Sequence, residues 1–311
     1  MYCFGVDVGG TTVKLGLFTV DGQVVDKWEI PTRREEQGGY ILGDVAASIR
    51  EKEEERQLSK DQIVGIGIGI PGPITEDGTV LLCANLGWGV FNVADRVREL
   101  TGYTNVRVAN DANVAALGEL WKGGASGFNS IVMITLGTGV GGGVILNQKI
   151  LTGAKGAAGE IGHIMVNPSE EEICGCGKHG CLEQYASATG IVRGAKRLLA
   201  KVDTPSVLRE CEEISAKAIF DAAKEGDQLA ISLVEQLGKD LGRICSHIGQ
   251  IIDPEAFVIG GGVSKAGSIL LDVIRKNYEE NVMFALKEKE FCLATLGNDA
   301  GIFGAARMVL E

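Results

Sequence analysis

The sequence predicts an α/β protein with two domains, and three observations lead to this prediction. At 311 residues the chain is long enough for about two domains with separate cores. Short apolar runs typical of buried strands alternate with longer stretches of helical periodicity, which is the pattern of α/β proteins. The chain also contains 45 glycines, about twice the usual ~7% share. Their clusters follow predicted strands, where α/β sheets bind ligands.

The first half of the chain is predicted to begin with a hairpin and to continue with alternating helices and strands. The continuous apolar run at 63–70, stopped by Pro71-Gly72-Pro73, is typical of a strand buried on both faces. Asn110-Asp111 follows an apolar run and precedes helical periodicity, which is typical of a helix N-cap. In order, we predict strands at 2–8, 13–20 and 23–30, a helix at 40–56, a strand at 63–70, a helix at 92–101, a strand at 106–109 and a helix from 110 to 121.

The second half begins in the same style, with a strand at 130–136, a Gly-Thr-Gly turn and a returning strand at 143–147. A strand, a Gly-rich turn and a strand therefore occur twice, which suggests an internal duplication. The segment 152–182 is rich in glycine and lacks periodicity, so we predict an ordered loop region there. The remaining predictions are helices at 187–201, 215–224 and 227–252, a strand at 256–259, a helix from 264, a strand at 291–294 and a terminal helix from 299.

Charge and composition argue against several classes of partner. The formal net charge is −11 and the chain has no long Lys/Arg run, so an acidic surface would repel nucleic acid. The start of the chain lacks the pattern of a secretory signal. The uncharged stretch 123–148 is interrupted by polar residues and glycines, unlike a membrane span. We therefore expect a cytoplasmic protein that binds neither nucleic acid nor membrane.

The segment from Asp7 to Lys14 is predicted to bind phosphates. Its two glycines let the backbone turn so that amides point at phosphate oxygens, and its two threonines add hydroxyl donors. Lys14 adds positive charge, whereas the Asp7 carboxylate would repel a phosphate and is better suited to hold Mg²⁺ through water. An ordinary hairpin turn is the alternative. The predicted nucleotide-binding residues of this segment are Asp7, Gly9, Gly10, Thr11, Thr12 and Lys14.

Two further glycine clusters are predicted to contact the nucleotide. Residues 137–142 match the dinucleotide pattern G-x-G-x-x-G, but that pattern needs a following helix and a strand follows here, so a second phosphate-binding hairpin is favoured. The glycines at 260–262 end a buried strand and would let adenine or ribose lie against the backbone, although helix entry alone would also explain them. The predicted residues are Gly137, Thr138, Gly139, Gly261 and Gly262.

Three cysteines within eight positions form the most specific local signal. Cys174, Cys176 and Cys181 are separated by glycines and are suited to wrap a cation. A tetrahedral zinc site needs a fourth ligand, and both His163 and His179 are candidates. A disulfide plus a free thiol is the alternative, which an intracellular setting disfavours. With four protein ligands the zinc would be structural.

Taken together, the motifs resemble those of the ROK family of bacterial sugar kinases and repressors, with the glucokinases as the most similar group. The resemblance covers essentially the whole chain, and the order and number of its motifs make it specific. The matching segments are 7–14, 70–73, 85–88, 110–113, 136–139, 160–163, 174–177, 180–183 and 297–301.

The resemblance implies an actin-like ATPase (ribonuclease H-like) fold, with two α/β domains around a cleft. A small N-terminal domain would comprise 1–110 plus 299–311. A large domain would comprise 111–298 and contain the zinc-binding loop. Because sugar-sensing repressors of the family carry an amino-terminal helix-turn-helix domain, and the phosphate loop here already begins at Asp7, we expect a kinase. The expected partners are ATP and a sugar, and the expected assembly is a homo-oligomer, either a dimer or a tetramer.

The implied activity is ATP-dependent phosphorylation of glucose to glucose 6-phosphate, with Mg²⁺ and a structural Zn²⁺. Asp111 matches the general base of the family. N-acetylmannosamine, fructose and allose are the alternative sugars. The implied sugar-binding residues are Gly72, Asn85, Asn110, Asp111, Glu160, His163 and Glu183, and the implied zinc ligands are His163, Cys174, Cys176 and Cys181. Two of the sugar-binding carboxylates flank the cysteine cluster, so a closed zinc site would hold them in place.

Overall fold

The computed structural model describes residues 1–310 and contains twelve strands and ten helices within that range. The strands are β1 Tyr2–Val8, β2 Thr12–Thr19, β3 Val24–Pro31, β4 Ile63–Ile70, β5 Thr79–Val80, β6 Phe91–Asn92, β7 Val106–Asn110, β8 Ile131–Leu136, β9 Val140–Leu146, β10 Lys149–Ile150, β11 Ala256–Gly260 and β12 Glu290–Leu293. The helices are α1 Glu35–Gly38, α2 Ile41–Glu55, α3 Val93–Thr101, α4 Asp111–Lys122, α5 Glu183–Ala186, α6 Ala188–Lys201, α7 Ala216–Lys224, α8 Gln228–Ile252, α9 Ser268–Asn281 and α10 Ala300–Met308. The predicted α/β class is confirmed.

Two five-stranded sheets have the same plan. The first has the order β3-β2-β1-β4-β7, in which β1, β2 and β3 form an antiparallel meander and β4 and β7 run parallel to β1. The second has the order β10-β9-β8-β11-β12, with β11 parallel to both β8 and β12. The equivalent strand orders support the internal duplication that the repeated strand, turn and strand suggest.

The predicted elements agree with the structure to within a few residues, with one notable difference after β11. The sequence predicts a helix from Ser264, but the chain first makes a 3-10 turn at Gly262–Ala266 and α9 begins only at Ser268. Gly267 lies between them with φ of +82°, a left-handed backbone conformation that interrupts a helix. The short strands β5, β6 and β10 and the four-residue helices α1 and α5 are not predicted, because segments of two to four residues carry no periodicity.

The predicted loop region 152–182 is confirmed. Its only helical segment within the described residues is the 3-10 turn Ile161–His163, and the rest consists of turns and isolated bridges. One bridge joins Met165 to Cys181 and another joins Ile173 to His179. These contacts fold the loop back on itself, so it is ordered without being a helix or a sheet.

By its internal contacts the chain divides into two units. The first comprises Met1–Asn129, Gly143–Gly159 and the residues from Leu296 onward, and the second comprises Ser130–Gly142 and Glu160–Thr295. The sequence places a boundary at residue 110, before α4, whereas α4 packs extensively on α10 and is assigned with it. Glu311, the last residue of the predicted N-terminal domain, lies outside the described residues.

Among residues 1–310, the helices are all too short or too polar to cross a lipid bilayer.

Candidate active site

The carboxylate of Asp111 lies at the first turn of α4, where β7 ends. Asn110 caps this helix: its side-chain oxygen accepts hydrogen bonds from the amides of Ala112 and Asn113, at 3.0 and 3.2 Å. The Asn110 amide group in turn donates to the Asp111 carboxylate at 3.0 Å and to the Gly72 carbonyl at 3.1 Å. The predicted N-cap is therefore confirmed, and three of the predicted sugar-binding positions, Gly72, Asn110 and Asp111, adjoin one another.

Burial raises the pKa of the Asp111 carboxyl above its ordinary value, since desolvation disfavours the charged form. The hydrogen bonds from the Ala112 amide, at 2.9 Å, and from the Asn110 side chain partly offset this effect. A carboxylate with a raised pKa is a stronger proton acceptor than a solvated one. The Asp111 carboxyl is therefore more basic than a solvated carboxyl, which is a property that a general base requires.

Helix α4 is held in place by α10 through glycines. A Cβ atom on Gly304 would lie 1.7 Å from the Val114 carbonyl oxygen, and one on Gly118 would lie 2.2 Å from the Ala300 carbonyl oxygen. Real Cβ atoms do not approach this closely, so only glycine permits the two backbones to touch. The matching segment at 297–301 is thus part of a close helix pair whose other member begins with Asp111.

Asp7 is the penultimate residue of β1, and its carboxylate lies against the start of α10. A Cβ atom on Gly301 would meet Asp7 Oδ2 at 2.5 Å, so the glycine leaves room for the carboxylate. Burial and the negative charge of Asp111 raise the pKa of Asp7 to about 6, while Lys14 opposes the shift. A buried carboxylate that is repelled by a neighbouring carboxylate in this way is suited to attract a cation.

The predicted phosphate loop between β1 and β2 is a tight turn, but not all of its groups are available to a ligand. The Gly9 amide donates to the Thr12 carbonyl at 3.0 Å. The Gly9 carbonyl accepts from the Thr32 hydroxyl at 2.7 Å. The ammonium group of Lys14 donates to the Asn298 carbonyl at 3.0 Å. Thr11 is exposed, and a Cβ atom on Gly10 would meet nothing within 4 Å, so these two residues are the open part of the loop.

Replacing Asp7 by Asn is expected to stabilise the protein increasingly as the pH rises from 4 to 6. The folded-state pKa of about 6 lies above the ordinary value, so the folded state binds the proton more tightly than the unfolded chain does. Ionised Asp7 therefore costs stability, on the order of 2 to 3 kcal/mol once the pH exceeds 6. Urea unfolding of wild type and Asp7→Asn across this pH range measures the difference.

Asp21 provides the matched control. It is exposed, and a hydrogen bond from Thr19 lowers its pKa, so Asp21→Asn should lose stability relative to wild type as the pH rises. An Asp7→Asn difference that stays constant or shrinks with pH would contradict the assignment of a raised pKa to Asp7.

Asn85 lies on the exposed 3-10 turn Ala84–Leu86. Reciprocal backbone hydrogen bonds between Cys83 and Trp88, at 2.9 and 3.0 Å, close this turn. The buried Trp88 indole donates to the Gly38 carbonyl at 3.1 Å. These hydrogen bonds therefore anchor the turn, and Asn85 is exposed to solvent.

In the second unit, Glu183 joins the second glycine turn to the cysteine cluster. Its Oε2 accepts from the Val140 amide at 3.0 Å, and a Cβ atom on Gly139 would lie only 2.2 Å from that oxygen. Its Oε1 lies 3.8 Å from Cys174 Sγ. This carboxylate therefore links two segments that the sequence assigns to different ligands.

The turn at Gly137–Gly139 is also fixed by the start of α6. The Ala188 amide donates to the Gly137 carbonyl at 2.8 Å, and the Thr189 hydroxyl donates to the Thr138 carbonyl at 2.7 Å. Strand β9 follows the turn, as expected for a phosphate hairpin and not for a dinucleotide site. The prediction that a strand, and not a helix, follows these glycines is therefore confirmed.

Gly261 and Gly262 follow β11 as predicted. Gly261 has φ of +82°, and a Cβ atom there would lie 2.5 Å from the Leu136 carbonyl oxygen. Gly262 lines a cavity of about 160 Å³ together with Phe220, Val263 and Ala266. The lining combines these groups with the charged residues Lys217, Asp221 and Lys265.

Four side chains in the loop region bring their ligand atoms within 4.8 Å of one another: His163, Cys174, Cys176 and Cys181. The sequence pattern alone leaves His163 and His179 open as the fourth member. His179 is exposed and outside this cluster, so the geometry selects His163.

The donor set and its spacing suit zinc. Zn–S bonds of about 2.3 Å in a tetrahedron place two sulfurs about 3.8 Å apart. The Cys176 and Cys181 sulfurs are 3.6 Å apart, and Cys174 Sγ lies 3.7 Å from His163 Nδ1. Three thiolates and an imidazole would fill all four positions, which is the arrangement of a structural site.

The two ring nitrogens of His163 face different groups. Nδ1 faces the sulfurs, whereas Nε2 lies 3.8 Å from the carboxylate of Glu160. A metal-bound histidine commonly directs its other nitrogen to a carboxylate, which fixes the ring. Half of the Glu160 side chain is exposed, so Glu160 also presents an oxygen to a solute.

The structure thus gathers the predicted residues into two sets. Gly72, Asn110, Asp111 and Asp7 belong to the first unit, and Glu160, His163, Glu183 and the cysteines belong to the second. Sequence reasoning missed one further group, in which Glu170 bonds to Tyr185 and Arg197. Nothing in the local sequence marks these residues, because their contact depends on the folded loop.

Comparison with known proteins defines the class first and then the family. The chain has the actin-like ATPase fold found in sugar kinases. It belongs to the ROK family, whose sequence model matches residues 3–311. The predicted fold and the predicted family are both confirmed.

Three similar proteins illustrate the relationship. A glucokinase of Halalkalibacterium halodurans is 43% identical over 99% of this chain and 94% of its own length. A glucokinase of Thermotoga maritima is 36% identical over 99% of this chain and 96% of its own length. The crystal structure of a ROK family glucokinase from Streptomyces griseus in complex with glucose and AMPPNP aligns with a TM-score of 0.74, at 34% identity over 99% of both chains.

Proposed function

We propose that this protein is a glucokinase that transfers the terminal phosphoryl group of ATP to glucose and forms glucose 6-phosphate. Family membership and the glucokinases among its relatives support this function. The observation that carries it is the partly buried Asp111 carboxylate at the start of α4, with a raised pKa and a capped helix beneath it. Glucose and an ATP analogue are bound in the similar Streptomyces griseus structure.

In the proposed reaction the primary hydroxyl of glucose attacks the terminal phosphorus in line, and Asp111 accepts the hydroxyl proton. The hydrogen bond from the Asn110 side chain keeps the carboxylate in one orientation, so no reorganisation is needed as the proton moves. Phosphoryl transfer depends mainly on positioning and on stabilising charge. The role of Asp111 is therefore to orient and activate the acceptor.

The nucleotide is proposed to contact the turns at residues 9–12 and 137–139, with its base near Gly261 and Gly262. Mg²⁺ that arrives with ATP neutralises phosphate charge. Asp7, at the end of β1, is the residue proposed to attract it through water. The negative charge of Asp111 raises the pKa of Asp7, and a cation bound at this position would relieve that repulsion.

The proposed sugar contacts are Gly72, Asn85, Asn110, Asp111, Glu160, His163 and Glu183. Ionised carboxylates accept strong hydrogen bonds from hydroxyls. The loop at residues 160–183, hereafter the zinc loop, contributes two such carboxylates, Glu160 and Glu183. Zn²⁺ is proposed to be structural and to be held by His163, Cys174, Cys176 and Cys181, since four protein ligands leave no open position. We also propose a cytoplasmic location, a place in glycolysis and a homo-oligomeric assembly, a dimer or a tetramer.

A coupled assay of ADP release over a panel of hexoses tests the function. With Mg²⁺ supplied and zinc bound, we expect ATP consumption that depends on glucose, with a kcat/KM above those for N-acetylmannosamine, fructose and allose. A higher kcat/KM for another hexose would replace glucose as the substrate. If no sugar stimulates consumption of ATP, ADP or polyphosphate, the kinase proposal itself fails.

A further inference from the structure

A cluster of charged and hydroxyl side chains lies where the zinc loop packs against α5 and α6, and it contains none of the metal ligands. We define the loop clamp as Glu170 and Glu172 on the loop, Tyr185 on α5, and Arg193 and Arg197 on α6. Neither the sequence motifs nor the proposed reaction uses these side chains. Their contacts nevertheless join the loop to the two helices that follow it.

Glu170 is the centre of the loop clamp. Its side chain is only 4% exposed, yet both carboxylate oxygens are fully engaged. Oε2 accepts from the Tyr185 hydroxyl at 2.5 Å and from Arg197 Nη1 at 2.7 Å. Oε1 accepts from Arg197 Nη2 at 3.1 Å and from the amides of Glu171 and Glu172, both at 3.1 Å. The ion pair is bidentate and mostly shielded from solvent on the carboxylate side, which makes it stronger than an ordinary surface pair.

The clamp reaches the metal ligands through Gln184. The Gln184 side chain accepts from the Cys181 amide at 3.1 Å and donates to the Glu172 carbonyl at 2.9 Å. Arg193 donates to the Gln184 carbonyl and to the Glu172 carboxylate. The backbone that carries Cys181 is therefore connected through Gln184 to Glu172, whose amide donates to Glu170.

The clamp also reaches Glu183. Tyr185 lies two residues further along α5, and its hydroxyl both donates to Glu170 and accepts from the Asn167 side chain at 2.8 Å. The start of α5 is thus held on the loop side by Glu170 and on the turn side by the Glu183 contact with Val140. A shift of Tyr185 would move Glu183 with it.

We propose that Glu170 is a positioning residue that sets the geometry of both the zinc ligands and Glu183. In this role it works with the metal: zinc fixes the tip of the loop, and the clamp fixes its junction with α5 and α6. The sugar-binding part of this inference rests on the proposed function, whereas the metal-binding part does not. Loss of the clamp should therefore weaken zinc retention and glucose affinity together, while leaving the phosphoryl transfer step nearly intact.

The test compares Glu170→Gln with wild type in the zinc-loaded protein. Zinc release to a chromogenic chelator should be about 10-fold faster, and the KM for glucose about 10-fold higher, with kcat within about 2-fold of wild type. Asp253→Asn is the matched control, because it removes an ion pair with Lys289 in the same unit at an exposed site. That variant should keep both the release rate and the KM of wild type.

Equal zinc release and equal KM in Glu170→Gln and wild type would overturn the proposal, even if the melting temperature falls. Should Glu170→Gln fail to fold, Tyr185→Phe decides, since it removes the two hydrogen bonds of the Tyr185 hydroxyl, with Glu170 and with Asn167, and keeps the ion pair. It should shift both quantities in the same direction by a smaller factor, and no shift would refute the role. Zinc release needs no sugar, so this arm remains informative if glucose proves not to be the substrate.

Discussion

Asp111→Asn should lose turnover by at least ~10²-fold while binding glucose almost normally. The asparagine side chain has the same shape, and its oxygen can still accept from the Ala112 amide and from Asn110, as the carboxylate does at 2.9 and 3.0 Å. The helix start is therefore preserved. What is lost is the capacity to accept a proton from the attacking hydroxyl. Steady-state kcat, together with glucose affinity measured by calorimetry, separates these two effects.

Asp95→Asn is the matched control for this substitution. Asp95 also lies in the first turn of a capped helix, α3, but its side chain is 65% exposed and pairs with Arg98. It should have wild-type turnover and wild-type affinity. Near-normal kcat in Asp111→Asn would remove Asp111 from the proposed role, and greatly weakened glucose binding would assign it to substrate binding instead.

Stripping zinc should disorder residues 160–183 and abolish glucose binding. The loop has little regular secondary structure, and three of the proposed sugar contacts, Glu160, His163 and Glu183, lie within or at the end of it. His163 would be a ligand itself, and Glu160 and Glu183 each lie within 3.8 Å of a ligand side chain. Hydrogen exchange of the loop amides and calorimetric titration with glucose, before and after chelation, measure the two effects.

Restored binding after zinc is added back would show that the loss is reversible. Cys174→Ser should reproduce the loss without a chelator, whereas Cys211→Ser, which changes a cysteine outside the ligand cluster, should bind glucose like wild type. Undiminished glucose affinity after complete metal removal would show that the loop does not need the metal for sugar binding.

Most of the fold could be predicted from the sequence because its signals are local. The apolar run at 63–70 begins and ends at the same residues as β4. Asn110 caps α4, as its position between a strand and a helical pattern predicts. The α9 start was misplaced because Ser264 satisfies the pattern of a helix start. The left-handed Gly267 is a backbone conformation that a one-dimensional pattern does not reveal.

The site was predictable only in part, for a related reason. The cysteine spacing predicts a metal site, but the choice of His163 over His179 needed either the family resemblance or the folded loop. Lys14 was expected to face phosphate, yet its ammonium group also bonds the Asn298 carbonyl, 284 residues away in the chain. The Glu170 contacts depend likewise on residues that only the fold brings together, so no spacing rule detects them.

The glycine contacts between α4 and α10 bear on how Asp111 and Asp7 are held relative to each other. Because the two backbones are in direct contact at these glycines, no side chain lies between them whose rotamer could change. We therefore expect α4 and α10 to move as one rigid body. Asp111, the proposed proton acceptor, begins α4, and α10 begins beside Asp7, the carboxylate proposed to attract magnesium. The close helix pair should therefore limit changes in the separation of these two carboxylates when other parts of the chain move.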